Sequence, residues 1–208
     1  PSLGKKVRKV LVPKSTNLEK CNNISELKKA LEHFDECKLK EGAINTVFSD
    51  GNPSAKVMLI GEAPGAEEDL QGKPFVGQSG KLLDKILGTV GLNRENVYIA
   101  NIVPWRPPAN RTPSLDEIAM CKPFIEKHIE LIMPKVIVLL GGVASKTILD
   151  SKEGIVSLRG KFHKYQTKNG EISALATFHP AYLLRSPGQK ALVWQDMLEL
   201  KMFMEVNA

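Results

Sequence analysis

The run Val57-Met58-Leu59-Ile60 is apolar on both alternating faces, the pattern of a parallel strand buried on both sides. Similar short runs at 97–100 and 136–140 predict two more strands. Segments 155–166 and 171–177 read as strands paired about the turn Lys168-Asn169-Gly170, and 45–52 as an edge strand ending in Asp50-Gly51. Helical periodicity falls between these runs. One helix is predicted from Ser25, which can cap, with Leu27, Leu31 and Phe34 on one face. Others are predicted over 82–87, 144–149 and about 189–204. Ser114 and Glu117 stand at capping-box spacing and open a helix expected to run to Met133, before Pro134.

Strands alternating with helices predict an α/β fold whose parallel sheet is covered on both faces. Ligands of such sheets collect beyond the carboxyl ends of the strands. Three predicted strands run into Gly61-Glu62-Ala63-Pro64-Gly65, Asn101-Ile102-Val103-Pro104-Trp105 and Phe178-His179-Pro180. These segments are far apart in sequence, yet the topology carries them to one rim. The stretch 61–80 between strand and helix is too long for a simple connector. It holds four acidic residues (Glu62, Glu67, Glu68, Asp69), several glycines and one aromatic, Phe75.

The chain has 208 residues, enough to bury a core, and a net charge of +6, which permits a polyanionic partner without requiring one. Its basic start suggests an N-terminal arm over 1–24 ahead of a single domain over 25–208. Three cysteines argue against a disulfide framework and fit a reducing compartment. Neither a membrane-spanning apolar run nor a signal peptide is seen, so a soluble cytoplasmic protein without membrane partners is expected, acting as a monomer. No P-loop or G-x-G-x-x-G pattern follows any predicted strand, which disfavours a nucleotide-binding domain.

Taken in order, GEAPG at 61–65 with Glu68-Asp69, GKPFVG at 72–77, Asn101 before RPPANR at 106–111, and HPAYLLR at 179–185 resemble the family 4 uracil-DNA glycosylases. The resemblance runs from about residue 31 to 203. It implies a three-layer α/β/α sandwich around a mostly parallel four-stranded sheet. It also implies extrusion of uracil from DNA and hydrolysis of its N-glycosidic bond, leaving an abasic site. By that resemblance Phe75 stacks on the base, Asn101 reads its edge, Ala63 lies against it and His179 donates to uracil O2. Glu62 or Glu68 orders the attacking water. Leu183, Leu184 and Arg185 form a wedge at the duplex, while Arg106, Arg111, Arg185, Lys190 and Ser79 are candidates for phosphate contact.

One departure from the family stands out. Family 4 enzymes usually hold a four-iron cluster on four cysteines, and the aligned positions here are Phe34, Cys37, Trp105 and Cys121. Neither Phe nor Trp can ligate iron, and using Cys21 would still supply only three thiolates. The expectation is therefore no cluster, with Phe34 and Trp105 filling its space and Cys37 near Cys121. A related branch traps DNA covalently through a histidine in an insertion that is missing between Pro104 and Cys121, so ordinary hydrolysis is expected. The alternative is a catalytically weak DNA-binding module that kept the fold.

Overall fold

The computed structural model describes residues 18–207. Six strands form one sheet in the order β1-β3-β2-β4-β6-β5, with β1 at Asp50–Gly51, β2 at Val57–Gly61, β3 at Val97–Asn101, β4 at Val136–Leu140, β5 at Phe162–Thr167 and β6 at Gly170–Thr177. The four central strands, β3-β2-β4-β6, are mutually parallel, as expected. Antiparallel β1 and β5 extend that core of four to six. Every residue of β2, β3 and β4 is buried, because helices cover both faces.

Strand alternation divides the core in two. Met58, Ile60, Tyr98, Ala100, Ile137 and Leu139 face one layer, which contains α1 (Ile24–Glu32), α2 (Leu39–Gly42), α5 (Leu115–Ile132) and α6 (Gly142–Leu149). Val57, Leu59, Val97, Ile99, Val136 and Val138 face the other, with α4 (Gln78–Gly88), α8 (Pro180–Arg185) and α9 (Lys190–Val206). Two short helices, α3 (Ala66–Gln71) and α7 (Ile155–Leu158), complete the set among the described residues.

Several expectations are corrected. The cap of α1 is Asn23, not Ser25: its side chain accepts from the Glu26 amide at 2.9 Å, and Phe34 lies beyond the helix end. Of the edge strand expected over 45–52, only Asp50–Gly51 pairs. The amides of Ile44 and Asn45 go instead to the Asp69 carboxylate at 2.9 and 3.1 Å, and that of Val47 to the Pro104 carbonyl. Residues 155–158 form the helical turn α7, and the hairpin strand starts only at Phe162. The loop 61–80 contains α3, which was not expected.

The folded part also begins earlier than residue 25, since Leu18 and Cys21 are already buried against the first core layer. The remainder of the expected arm lies outside the described residues. The capping box of α5 forms as read, with Ser114 and Glu117 bonding one another's amides.

Strand order reverses at β2, whose chain neighbours in the parallel core, β3 and β4, flank it on opposite sides. In open α/β sheets such a reversal opens a crevice at the carboxyl ends. The GEAPG turn leaves the sheet there.

Candidate active site

The ends of β2 and β3 are locked in register, Gly61 opposite Asn101. Past the strands the pairing continues through the Ile102 amide to the Gly61 carbonyl (2.9 Å) and the Val103 amide to the Glu62 carbonyl (3.0 Å). This fixes the direction in which Glu62 leaves the sheet. A Cβ at position 61 would lie 2.4 Å from Asn101 Oδ1 and 2.5 Å from the Phe75 ring, so only glycine lets amide and ring approach one another. Two strands away β6 ends at Thr177, whose hydroxyl donates to buried Asp196 at 2.6 Å, and His179 follows as the cap of α8. The Phe75 and His179 rings stand 5.5 Å apart between centroids.

Together these segments enclose a cavity of about 460 Å³. Of the residues singled out in the sequence, Glu62, Ala63, Glu68, Phe75, Ser79, Asn101, Arg111, His179 and Arg185 line it. Three do not. Arg106 is turned aside to Asn110 Oδ1 at 2.7 Å. Leu184 points out to solvent, 46% exposed. Leu183, expected with it at the wedge, is fully buried in the second core layer, because the turn of α8 that exposes Leu184 turns its neighbour inward. Thr112, Asn110 and Tyr182 also line the cavity, and the sequence reading passed over them. They sit inside the quoted RPPANR and HPAYLLR stretches or beside them, which was the available signal.

The polar groups of the cavity differ in what they have left to offer. Glu68 accepts from the amides of Gly65 (3.1 Å), Val76 (2.9 Å) and Gly77 (2.8 Å), so both its oxygens are used in shaping its own loop. Glu62 is half-buried and has no such amides. Burial pushes its carboxyl above the usual carboxylate range, and a hydrogen bond with Thr112 pulls it partly back.

His179 Nδ1 accepts from the Ala181 amide at 3.1 Å. The proton of the neutral ring is therefore on Nε2. Burial first, and the charge of Arg185 second, lower its pKa to about 4, while Glu68 acts weakly the other way. At neutral pH His179 is an uncharged Nε2–H donor.

Asn101 Oδ1 is buried and has no hydrogen-bond partner among the described residues. A buried acceptor left unpaired costs on the order of 1–3 kcal/mol, so natural structures retain one where a ligand completes it. Here it lies on the cavity wall, beside the Phe75 ring.

The sequence profile of the uracil DNA glycosylase superfamily matches residues 48–198. The chain belongs to that superfamily. Among its relatives, the Type-4 uracil-DNA glycosylase of Sulfurisphaera tokodaii is 39% identical over 186 residues, covering 86% of this chain and 84% of that protein. The Type-4 uracil-DNA glycosylase of Saccharolobus solfataricus is 37% identical over 86% of each chain. That of Thermotoga maritima is 40% identical over 172 residues, 81% of this chain and 88% of the other. The matched span contains the whole rim: β2 and its loop, Asn101 and His179.

Within the first core layer lies the place where family 4 members carry their iron–sulfur cluster. Phe34, Cys37, Trp105 and Cys121 meet there, each at most 2% exposed. Phe34 and Trp105 stack at 6.3 Å, and Phe34 also tilts against Phe124 at 5.0 Å. Trp105 Nε1 donates to Thr46 Oγ1 at 2.9 Å, so its polar edge is satisfied. Cys121 Sγ donates to Cys37 Sγ at 3.9 Å, a bond that with burial pushes the Cys121 thiol up. Two thiols and two aromatic rings do not fit a cubane that needs a ligand at each iron. Among the described residues no group of three or more His, Cys, Asp or Glu is placed to hold a metal ion.

Proposed function

We propose that this chain excises uracil from DNA by hydrolysing the N-glycosidic bond, and that the unpaired Asn101 carbonyl is the feature that selects the base. An extruded uracil would meet Oδ1 with its N3–H donor and the same amide's N–H with its O4 acceptor. Cytosine presents the reverse pattern and would leave the buried oxygen unpaired. Phe75 stacks on the ring, a contact worth about 1–3 kcal/mol.

As the bond between C1′ and N1 breaks, negative charge spreads onto O2 and O4 of the departing base and the sugar gains oxocarbenium character. The Nε2–H of neutral His179 points at O2 and stabilises that charge; one such donor is worth about 2.7–4 kcal/mol. Glu62 is the carboxylate with capacity to spare, so it orders the water that adds to C1′ and offsets the positive sugar. Glu68 is assigned to holding the loop instead. As the C1′–N1 bond breaks, water adds its oxygen to C1′ and gives one proton to Glu62, and the departing uracil anion takes up a proton, so the products are an abasic site and free uracil.

Exposed Leu184 serves as the wedge. Arg185, without an ion-pair partner among the described residues, and Ser79 in the first turn of α4 meet phosphates. We further assign the working form as a cluster-free monomer. Its aromatic pair fills the space of the cofactor and supports the fold rather than the chemistry. We assign it to the cytoplasm, a reading that three buried free thiols support; no described helix is long and apolar enough to cross a membrane.

The test is a labelled oligonucleotide containing one uracil, incubated with the protein and then treated with alkali. Scission at the uracil, with intact backbone before alkali, is the expected result. Binding without scission would reduce the chain to a DNA-binding module.

A further inference from the structure

Arg94 belongs to none of the motifs, yet three elements meet on its guanidinium. It stands in the turn between α4 and β3. Its Nε donates to Asp84 of α4 at 3.0 Å and its Nη1 to Asp50 of β1 at 2.6 Å. Nη1 also donates to the Pro74 carbonyl at 3.1 Å, and Nη2 to the carbonyl of Phe75. The side chain is 26% exposed, so these bonds are only partly open to solvent.

Phe75 is held in an unusual backbone state. Its φ is 54°, a region that bulky residues avoid and keep only when their surroundings impose it. On the other side of the same peptide group, a Cβ at position 80 would sit 1.8 Å from the Phe75 carbonyl oxygen. The Phe75 carbonyl is therefore clamped between the backbone of Gly80 and the fork of Arg94. Where that peptide plane points decides where the ring stands.

We propose that Arg94 is a positioning residue for base recognition: by gripping the Pro74 and Phe75 carbonyls it holds the Phe75 ring in the orientation that receives the extruded pyrimidine. This rests on the reading that Phe75 stacks on the base. Asp50 and Asp84 aim the guanidinium and offset its charge, so the fork is set before DNA arrives. A lysine would keep the charge but lacks the planar fork that reaches two carbonyls while pairing with two carboxylates.

The experiment measures inhibition of uracil excision by free uracil, together with kcat and KM, in Phe75→Ala, Arg94→Met, Arg94→Lys and the Phe75→Ala/Arg94→Met double variant. Phe75→Ala is expected to weaken uracil inhibition about tenfold, the loss of one stacking contact. Arg94→Met is expected to do the same, with Arg94→Lys closer to Arg94→Met than to the parent. The double variant should be no worse than Phe75→Ala alone, because both changes remove one interaction.

Uracil inhibition unchanged in Arg94→Met, or falling by the same further factor in the Phe75→Ala background, overturns the proposal. If Arg94→Met does not fold, Arg94→Lys and its double variant with Phe75→Ala carry the same comparison. Unchanged inhibition in Phe75→Ala would remove the stacking reading itself and this proposal with it; inhibition weakened by Phe75→Ala but untouched at Arg94 removes this proposal alone.

Discussion

Two regions of the molecule, the rim at the strand ends and the core around Trp105, treat their polar groups in opposite ways. Beyond the carboxyl ends of β2, β3 and β6, the chain keeps an unpaired carbonyl on Asn101, a ring N–H on His179 and a carboxylate on Glu62, all facing one cavity. Around Trp105, where family 4 members carry a cofactor, the groups partner one another: ring stacks on ring, the indole N–H has Thr46, and the two thiols have each other. A region that awaits a ligand stays unsatisfied at some cost to stability, whereas a region whose groups satisfy one another contributes packing instead. Chemistry and stability are thus separable here, and substitutions in the two regions should fail in different ways.

The largest expected effect is in the core around Trp105. Trp105→Ala removes a fully buried ring and should lower unfolding free energy by about 3–5 kcal/mol, read by chemical denaturation. Excision per folded molecule should stay within about threefold of the parent, since no part of the indole reaches the cavity. A Phe34→Cys/Trp105→Cys variant sharpens the comparison. It restores four thiols around one point and should turn brown on anaerobic reconstitution with iron and sulfide, while the parent stays colourless.

At the rim the signs reverse. His179→Ala should cut kcat by about 10²–10³-fold, with little change in stability, as for loss of one preorganised donor. The pH profile gives a finer distinction. Because burial lowers the His179 pKa from 6.5 to about 4, the ring is neutral throughout the neutral range, and kcat should show no inflection near 6.5. The acid limb belongs to Glu62 and should lie above the ordinary carboxylate value of 4.5.

Stability carries the same sign. His179, and His128 with its pKa near 3, bind protons more readily when unfolded. The stability present above pH 6.5 should therefore decline as pH falls from there through the folded values. A denaturation midpoint that is flat across that window would contradict both assignments.

The smallest effect separates two arginines at the mouth. Arg111 is committed to Glu117 through two bonds of 2.7 and 2.8 Å, while Arg185 has no such partner among the described residues. Arg185→Ala should weaken DNA binding and reduce its salt dependence by about one phosphate contact. Arg111→Ala should do less, in the same titration of affinity against salt.

What the sequence made legible follows the range of the forces involved. The buried strands and the capping box of α5 are local patterns, and the structure has them within a residue or so of their expected places. The meeting of Asn101 and His179 followed from topology, since each sits at or just beyond a strand end, while Phe75 is brought to them by the loop between α3 and α4. The expectation for Leu183 failed because which leucine of the pair faces solvent depends on how α8 is rotated against α4, a tertiary matter. The edge strand over 45–52 does not form at its start because Asp69 takes the amides of Asn45 and of Ile44 just before it, and Pro104 takes that of Val47. Arg94 was invisible for the same reason: its four partners come from three separate parts of the chain.

The central claim is that the lone buried acceptor on Asn101 is completed by the N3–H of the base. It is tested most directly by comparing excision of uracil with that of 3-methyluracil, which lacks that donor, in the parent and in Asn101→Ala. The account expects the parent to favour uracil by about 10³-fold or more, and the gap to shrink to about tenfold in Asn101→Ala, where no acceptor remains to be left unpaired. A parent that releases both bases at the same rate, or a variant that keeps the full preference, would contradict it.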